Sequence, residues 1–378
     1  MNRLLRGCKN LIIKNDNALL ITCLVSSALS VMLLWGIYLS GYVKVRVFAT
    51  QIIAILLGVT VALVISLIDY RLLARCWKLY IPVSVILVLL TYVVGIQRYS
   101  YVDDKAWLPI PFTTTTIQPS EILKFAFVLS FSLHLEKAGE SINDLKTLLG
   151  LCLHGAVPVL MIVAQGDHGT AMVFAAIFVC MMFSAGLSLK YIGAAVMAAV
   201  VASPLVWFYV MDNDKRGRIL TVFNPEADPT GIGWQQSLGL TAIGSGQVWG
   251  KGITSGGHQY IPEMHNDFVF AFAGEAIGFM GCVAIIALIL LICILILIDA
   301  RRAKDRLGRY ICVGIFSYFA FQSIWTIGMC LSLLPVAGLT LPLFSAGGTS
   351  VVLTWVGIGL VLGVYRHSHR GLFEGHGD

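Results

Sequence analysis

The most chemically suggestive residue in this 378-residue sequence is a carboxylate set directly before a long apolar run. Asp267 closes the segment Pro262-Glu263-Met264-His265-Asn266-Asp267, and Phe-Val-Phe-Ala-Phe-Ala follows it. At a helix start a carboxylate can be a simple cap favoured by the helix dipole. At a water–lipid boundary the same group can act as a base on a lipid-linked substrate. Glu263 and His265 are near enough in sequence to tune Asp267 or to hold a cation. A helical path from Asp267 puts Glu275 on roughly the same face, about two turns deeper, where an ionisable group needs a cavity or a partner.

Other polar groups interrupt otherwise apolar stretches. Glu121 and Lys124 are an i, i+3 pair, which suits a buried structural ion pair better than chemistry. Arg216 and Arg218, beside Lys215, match phosphate geometry, although snorkelling at the interface would use the same residues. Lys251 adds a further cation in the Gly-rich stretch Gly244–Gly252. A second Gly-rich piece, Ser345–Ser350, completes the set. Neither piece carries a phosphate-loop or dinucleotide pattern, so ATP binding is not expected. Close backbone approach or irregular backbone lining a cavity fits them better.

The elements that must position these groups are membrane spans. The chain is 58% hydrophobic and only 12% charged, far from the balance of a soluble domain. Runs long enough to cross a hydrocarbon core of roughly 30 Å recur throughout. Spans are expected to begin near residues 18, 48, 79, 120, 148, 170, 190, 267, 310 and 345. This gives an all-α polytopic protein of about ten transmembrane helices, forming a single domain over residues 1–378. Residues 212–266, between spans seven and eight, are expected to form a large extended loop. Lys and Arg are about twice as frequent in one set of connections as in the other, which places both termini in the cytoplasm. The acidic and Gly-rich segments then collect on the extracytoplasmic face, and loops on one face are where function concentrates. The nine cysteines show no disulfide framework or paired metal-ligand spacing.

Taken together, these residues resemble the SEDS family (shape, elongation, division and sporulation), bacterial polytopic proteins that include RodA, FtsW and SpoVE. The likeness rests on Gln118-Pro119-Ser120-Glu121 with Lys124, Asp167 with Gly169-Thr170, Arg218, and Gln236-Ser237. It continues through Gly244-Ser245-Gly246, Gly250-Lys251-Gly252, Pro262-Glu263 with His265 and Asp267, Gly274-Glu275, Leu334-Pro335, and Ser345 with Gly347-Gly348. The resemblance implies a peptidoglycan glycosyltransferase of the bacterial cytoplasmic (inner) membrane, working on its outer face for cell-wall synthesis and cell shape. Its substrate would be lipid II, its leaving group undecaprenyl diphosphate, and its partner a class B penicillin-binding protein. Asp267 matches the family's essential aspartate and would be the catalytic base. Arg216, Arg218, Lys251, Trp107, Glu263, His265, Asp167 and Ser345 would bind substrate, with Glu121, Lys124 and Glu275 in support. A divalent cation, Mg or Mn, could assist the leaving group, but no carboxylate cage marks its ligands. Several positions depart from the family pattern: Ala106, His168 (an apolar residue usually follows the aspartate), Asn266, Ala276, Thr326 and Ala346. The short tails favour an elongation or sporulation type over a division type.

A lipid II flippase would also use many spans and intramembrane charges. Polar motifs gathered on one face, with no inverted repeat, favour the enzyme. A non-catalytic scaffold of the wall-synthesis complex is the third class.

Overall fold

The structure, a computed structural model, describes residues 16–97, 105–109, 116–223 and 232–373. The basic N-terminal residues Arg3, Arg6, Lys9 and Lys14, as well as Arg98 and residues 224–231 of the large loop, lie outside them.

Among the described residues, ten long helices stand where the spans were expected. They are α1 (Asn17–Leu39), α2 (Val45–Leu67), α4 (Trp77–Val94), α5 (Pro119–Ala138), α6 (Leu145–Ala164), α7 (His168–Ser184), α8 (Leu189–Leu205), α11 (Val269–Arg302), α12 (Arg306–Cys330) and α13 (Gly348–Phe373). Among the described residues, eight helices are long and apolar enough to cross a membrane. Of the remaining two, α7 is apolar but shorter, and α5 carries the Glu121–Lys124 pair. The chain is thus a multi-pass membrane protein. Short helices fill some connections: α3 (Tyr70–Arg75), α9 (Asn213–Phe223) and α10 (Ile232–Ser245). The 212–266 segment is therefore not the extended loop expected from sequence. Two helices occupy much of its described part, and residues 247–252 dock onto α11.

Packing follows side-chain size. The buried residues of α2 are Gln51, Ala54, Gly58, Ala62 and Ser66, nearly all small and spaced at helical intervals. Against this stripe lies α13, so closely that a Cβ on Gly58 would be 2.8 Å from Trp355. Lipid tails are as apolar as leucine, so close backbone approach is what joins such helices. Buried along much of its length, α12 packs against α5, α7 and α11. No residue of α8 is buried among those described.

The Gly-rich stretch repairs a break in α11. At Gly278 the backbone turns to φ 70° and ψ −169°, a region that suits glycine and strains other residues. The intrahelical ladder fails there, and residues 247–252 take its place. The Phe279 and Met280 N–H groups donate to the carbonyls of Gln247 and Val248, at 2.9 and 3.2 Å. In return the Lys251 and Gly252 N–H groups donate to the carbonyls of Glu275 and Ala276, at 2.9 and 3.0 Å. Irregular backbone at a helix break survives in a membrane protein because each freed group finds a protein partner. The upper piece of α11, which follows Asp267, is thereby fixed to the loop before it.

Candidate functional site

Asp267 belongs to a tight turn ahead of α11. The Glu263 carbonyl accepts from the N–H groups of Asn266, Asp267 and Phe268 at 2.9, 3.1 and 3.3 Å, and Glu263 itself has a φ of 56°. The Asn266 amide donates to Glu263 Oε2 at 2.7 Å. The helix N-cap position falls to Phe268, one residue beyond Asp267. Residues 341–346 brace the turn from behind. Ser345 Oγ donates to the Asn266 carbonyl at 2.5 Å and accepts from the Leu341 N–H at 2.7 Å. The Ala346 N–H donates to the His265 carbonyl at 2.7 Å. Asn266 and Phe268 are buried, whereas Glu263, His265 and Asp267 stay partly open.

The open side of this turn faces a cavity of about 900 Å³. Asp267, Glu263 and His265 line it together with Trp107, Asp167, Glu121 and Arg218. These residues come from five separate parts of the chain, and the sequence motifs that carry them converge here. Trp107 is held by a bridge in which the Ile96 N–H donates to its carbonyl at 2.8 Å. Asp167 caps α7 by accepting from the Thr170 N–H at 2.9 Å, and its other oxygen accepts from Gln118 Nε2 at 2.9 Å. Burial raises the Asp167 pKa, with the Thr170 hydrogen bonds and the Lys124 charge acting in the opposite direction. Glu121 and Lys124 form a buried pair at 2.8 Å. Lys124 also donates to Gln322 Oε1 at 3.3 Å and lies 4.7 Å from the Tyr318 ring centre. Gln322 in turn donates to the Thr340 carbonyl at 2.7 Å. The pair thus ties α5 to α12 and to the segment that forms one cavity wall.

Three residues expected to bind substrate are placed elsewhere. Arg216 does not line the cavity. Its Nε and Nη2 donate to the Trp207 and Phe208 carbonyls, at 2.8 and 2.9 Å, and so close the end of α8. Lys251 is also outside the lining, with its Nζ 2.6 Å from Glu275 Oε1. Glu275 is fully buried, and the Gln259 N–H bonds both of its oxygens at 3.1 and 3.0 Å. Ser345 supports the turn and is itself buried. In each case local spacing exposed a polar group, but a tertiary partner had already taken it.

The cavity also holds residues beyond those expected to bind substrate. Arg46 and Gln51 from α2 line it, as do His168 and Lys215. Gln51 is buried in an otherwise apolar span and accepts from the Gly347 N–H at 3.2 Å. A lone amide in such a span is itself a signal, since polar groups at membrane depth mark cavities or partners. Lys215 is paired with Asp212 at 2.8 Å, which holds the Asp212 carboxyl below its usual range. Among the described residues no three His, Cys, Asp or Glu side chains are placed to hold a metal ion.

Residues 12–370 match the family model for the FtsW, RodA and SpoVE cell cycle proteins. The chain belongs to this family. Its relatives include the probable peptidoglycan glycosyltransferase FtsW of Trichlorobacter lovleyi, 33% identical over 90% of this chain and 88% of that protein. The peptidoglycan glycosyltransferase MrdB of Escherichia coli is 29% identical over 95% of each chain. Among solved structures, one concerning polymerization and crosslinking by a peptidoglycan synthase complex aligns with a TM-score of 0.80 at 27% identity, covering 94% of this chain and 99% of the other. A rod shape determining protein RodA from Thermus thermophilus aligns with a TM-score of 0.70 at 25% identity, covering 94% and 99%. The motifs that converge on the cavity of this family member are those that carried the resemblance.

Proposed function

We propose that this family member is a peptidoglycan glycosyltransferase that polymerises lipid II into β-1,4 glycan strands, with Asp267 as the general base. The observation that carries this reading is the shared cavity: one carboxylate-bearing turn and one cationic wall face the same space of about 900 Å³ at one end of the helix bundle. An inverting transfer in one displacement needs both a base for the nucleophile and charge relief for the leaving group. Asp267 takes the proton from the C4 hydroxyl of the acceptor sugar as that oxygen attacks the donor's anomeric carbon. The bond to the diphosphate breaks, and its electrons leave with undecaprenyl diphosphate. Arg218, which lines the cavity, offsets the charge that develops there. Trp107, Asp167, Glu263 and His265 shape the space between the two groups. Arg216, Lys251 and Ser345 hold the walls.

The Asp267 end of the bundle faces the extracytoplasmic side of the bacterial inner membrane, and both termini are cytoplasmic. A class B penicillin-binding protein cross-links the product, and the neighbouring structure of a peptidoglycan synthase complex supports that pairing. Purified protein, alone or with that partner, is expected to convert lipid II to glycan strands, and Asp267→Ala to stop it while the protein is still made. Normal polymerisation by Asp267→Ala, with lost transfer of lipid II across vesicles, would replace this reading with a flippase.

A further inference from the structure

The structure puts His168 on the wall of the cavity that Asp267 faces. It is the first residue of α7, and its Nε2 is buried without a hydrogen-bond partner among the described residues. A buried nitrogen left unpaired is unfavourable, and an acceptor oxygen bound in the cavity would satisfy it. Arg218 Nε, on α9 across the same wall, is also buried and unpartnered. His168 lies within electrostatic reach of Arg218, Lys215, Asp212 and Asp167. Of these charges, Lys215 and Asp212 neutralise each other. Both oxygens of Asp167 are engaged, by Thr170 and Gln118. Arg218 is therefore the cation left to set the local field, with an imidazole nitrogen beside it.

We propose that His168 and Arg218 form a two-donor cradle for the diphosphate of the lipid-linked substrate, making His168 a substrate-binding residue. The inference rests on the glycosyltransferase reading above, and it specifies which wall of the cavity receives the anion. A neutral imidazole donates one N–H to a phosphate oxygen, and the guanidinium supplies charge as well as a second donor. A leucine at position 168 would pack the same wall but leave the oxygen without its donor.

Binding can be read without turnover, because Trp107 and Trp325 both line the cavity and report occupancy by fluorescence. The full-length protein in nanodiscs would be titrated with farnesyl diphosphate, inorganic pyrophosphate and farnesol. His168→Leu is expected to weaken farnesyl diphosphate binding about ten- to a hundredfold, the scale of one hydrogen bond to a charged group, with farnesol unaffected. His168→Gln, which returns an N–H donor at similar reach, is expected to restore most of the affinity. Quenching by farnesyl diphosphate alone assigns the cradle to a lipid headgroup. An equal His168→Leu loss with pyrophosphate assigns it to the anion itself. Unchanged diphosphate affinity in His168→Leu would overturn the proposal, as would an equal loss of farnesol or no rescue by Gln. Such a failure would leave Asp267 and polymerisation untouched, whereas diphosphate binding without polymerisation would sink the enzymatic reading instead.

Discussion

At the residue scale, three arginines and lysines that look alike in sequence separate by what they touch. Arg218 lines the cavity, its Nε without a partner among the described residues, Arg216 closes α8, and Lys251 neutralises a buried glutamate. Arg218→Ala is expected to raise the KM for lipid II on the order of tenfold or more, measurable in a polymerisation assay. Arg216→Ala is expected to lower the melting temperature while KM stays near wild type, because its bonds go to backbone carbonyls. An Arg216→Ala protein of normal stability with a large KM defect would return that residue to the site. The Glu121–Lys124 pair is a harsher case. Removing one partner leaves a buried charge uncompensated, at about 3–5 kcal/mol. Lys124→Met should therefore reduce the folded yield sharply, and the double change Glu121→Gln with Lys124→Met should recover part of it. Equal yields for the single and double variants would show that the pair does not couple.

At the element scale, helix positions were readable because length and hydropathy alone decide whether a segment can span a bilayer. Even α5, interrupted by charge, was placed correctly, since Glu121 and Lys124 fall on one face and neutralise each other. The break in α11 was not readable. Nothing in the local sequence tells that Gly278 turns to positive φ or that residues 247–252 supply the missing bonds. The same limit applies to Ser345, whose work depends on a carbonyl far away in sequence. Gln51 is different, because an isolated amide in an apolar span is legible from the sequence as a mark of a cavity or a partner. The repaired break makes a sharp prediction. A Cβ at Gly278 would lie 2.3 Å from the Gly250 nitrogen and 2.5 Å from the Val248 carbonyl oxygen. Gly278→Ala should lower the melting temperature and polymerisation together, while Gly193→Ala, with open space around it, should be neutral. Parallel thermal unfolding of the two variants checks this.

At the scale of the whole molecule, the bundle has two unlike ends. One carries the cavity. At the other, Arg71 bonds Asp305 at 2.7 Å, Tyr70 bonds the same carboxylate at 2.9 Å, and α3 is thereby joined to α12. The proposed orientation puts the cavity outside, where an assembled glycan can be cross-linked without crossing the membrane. In a cysteine-free background, Lys44→Cys should react with an impermeant thiol reagent on intact cells, and Lys304→Cys only after permeabilisation. Labelling of Lys304→Cys on intact cells would invert the topology. The central claim is chemical, and Asp267→Asn tests it most directly because it keeps the size of the side chain and removes its basicity. With purified protein, its partner and lipid II, wild type should yield β-1,4 glycan strands. Asp267→Asn should fall by the 10²–10⁴-fold typical of losing a general base, with lipid II still bound. Polymerisation by Asp267→Asn at near wild-type rate would show that the base is some other group.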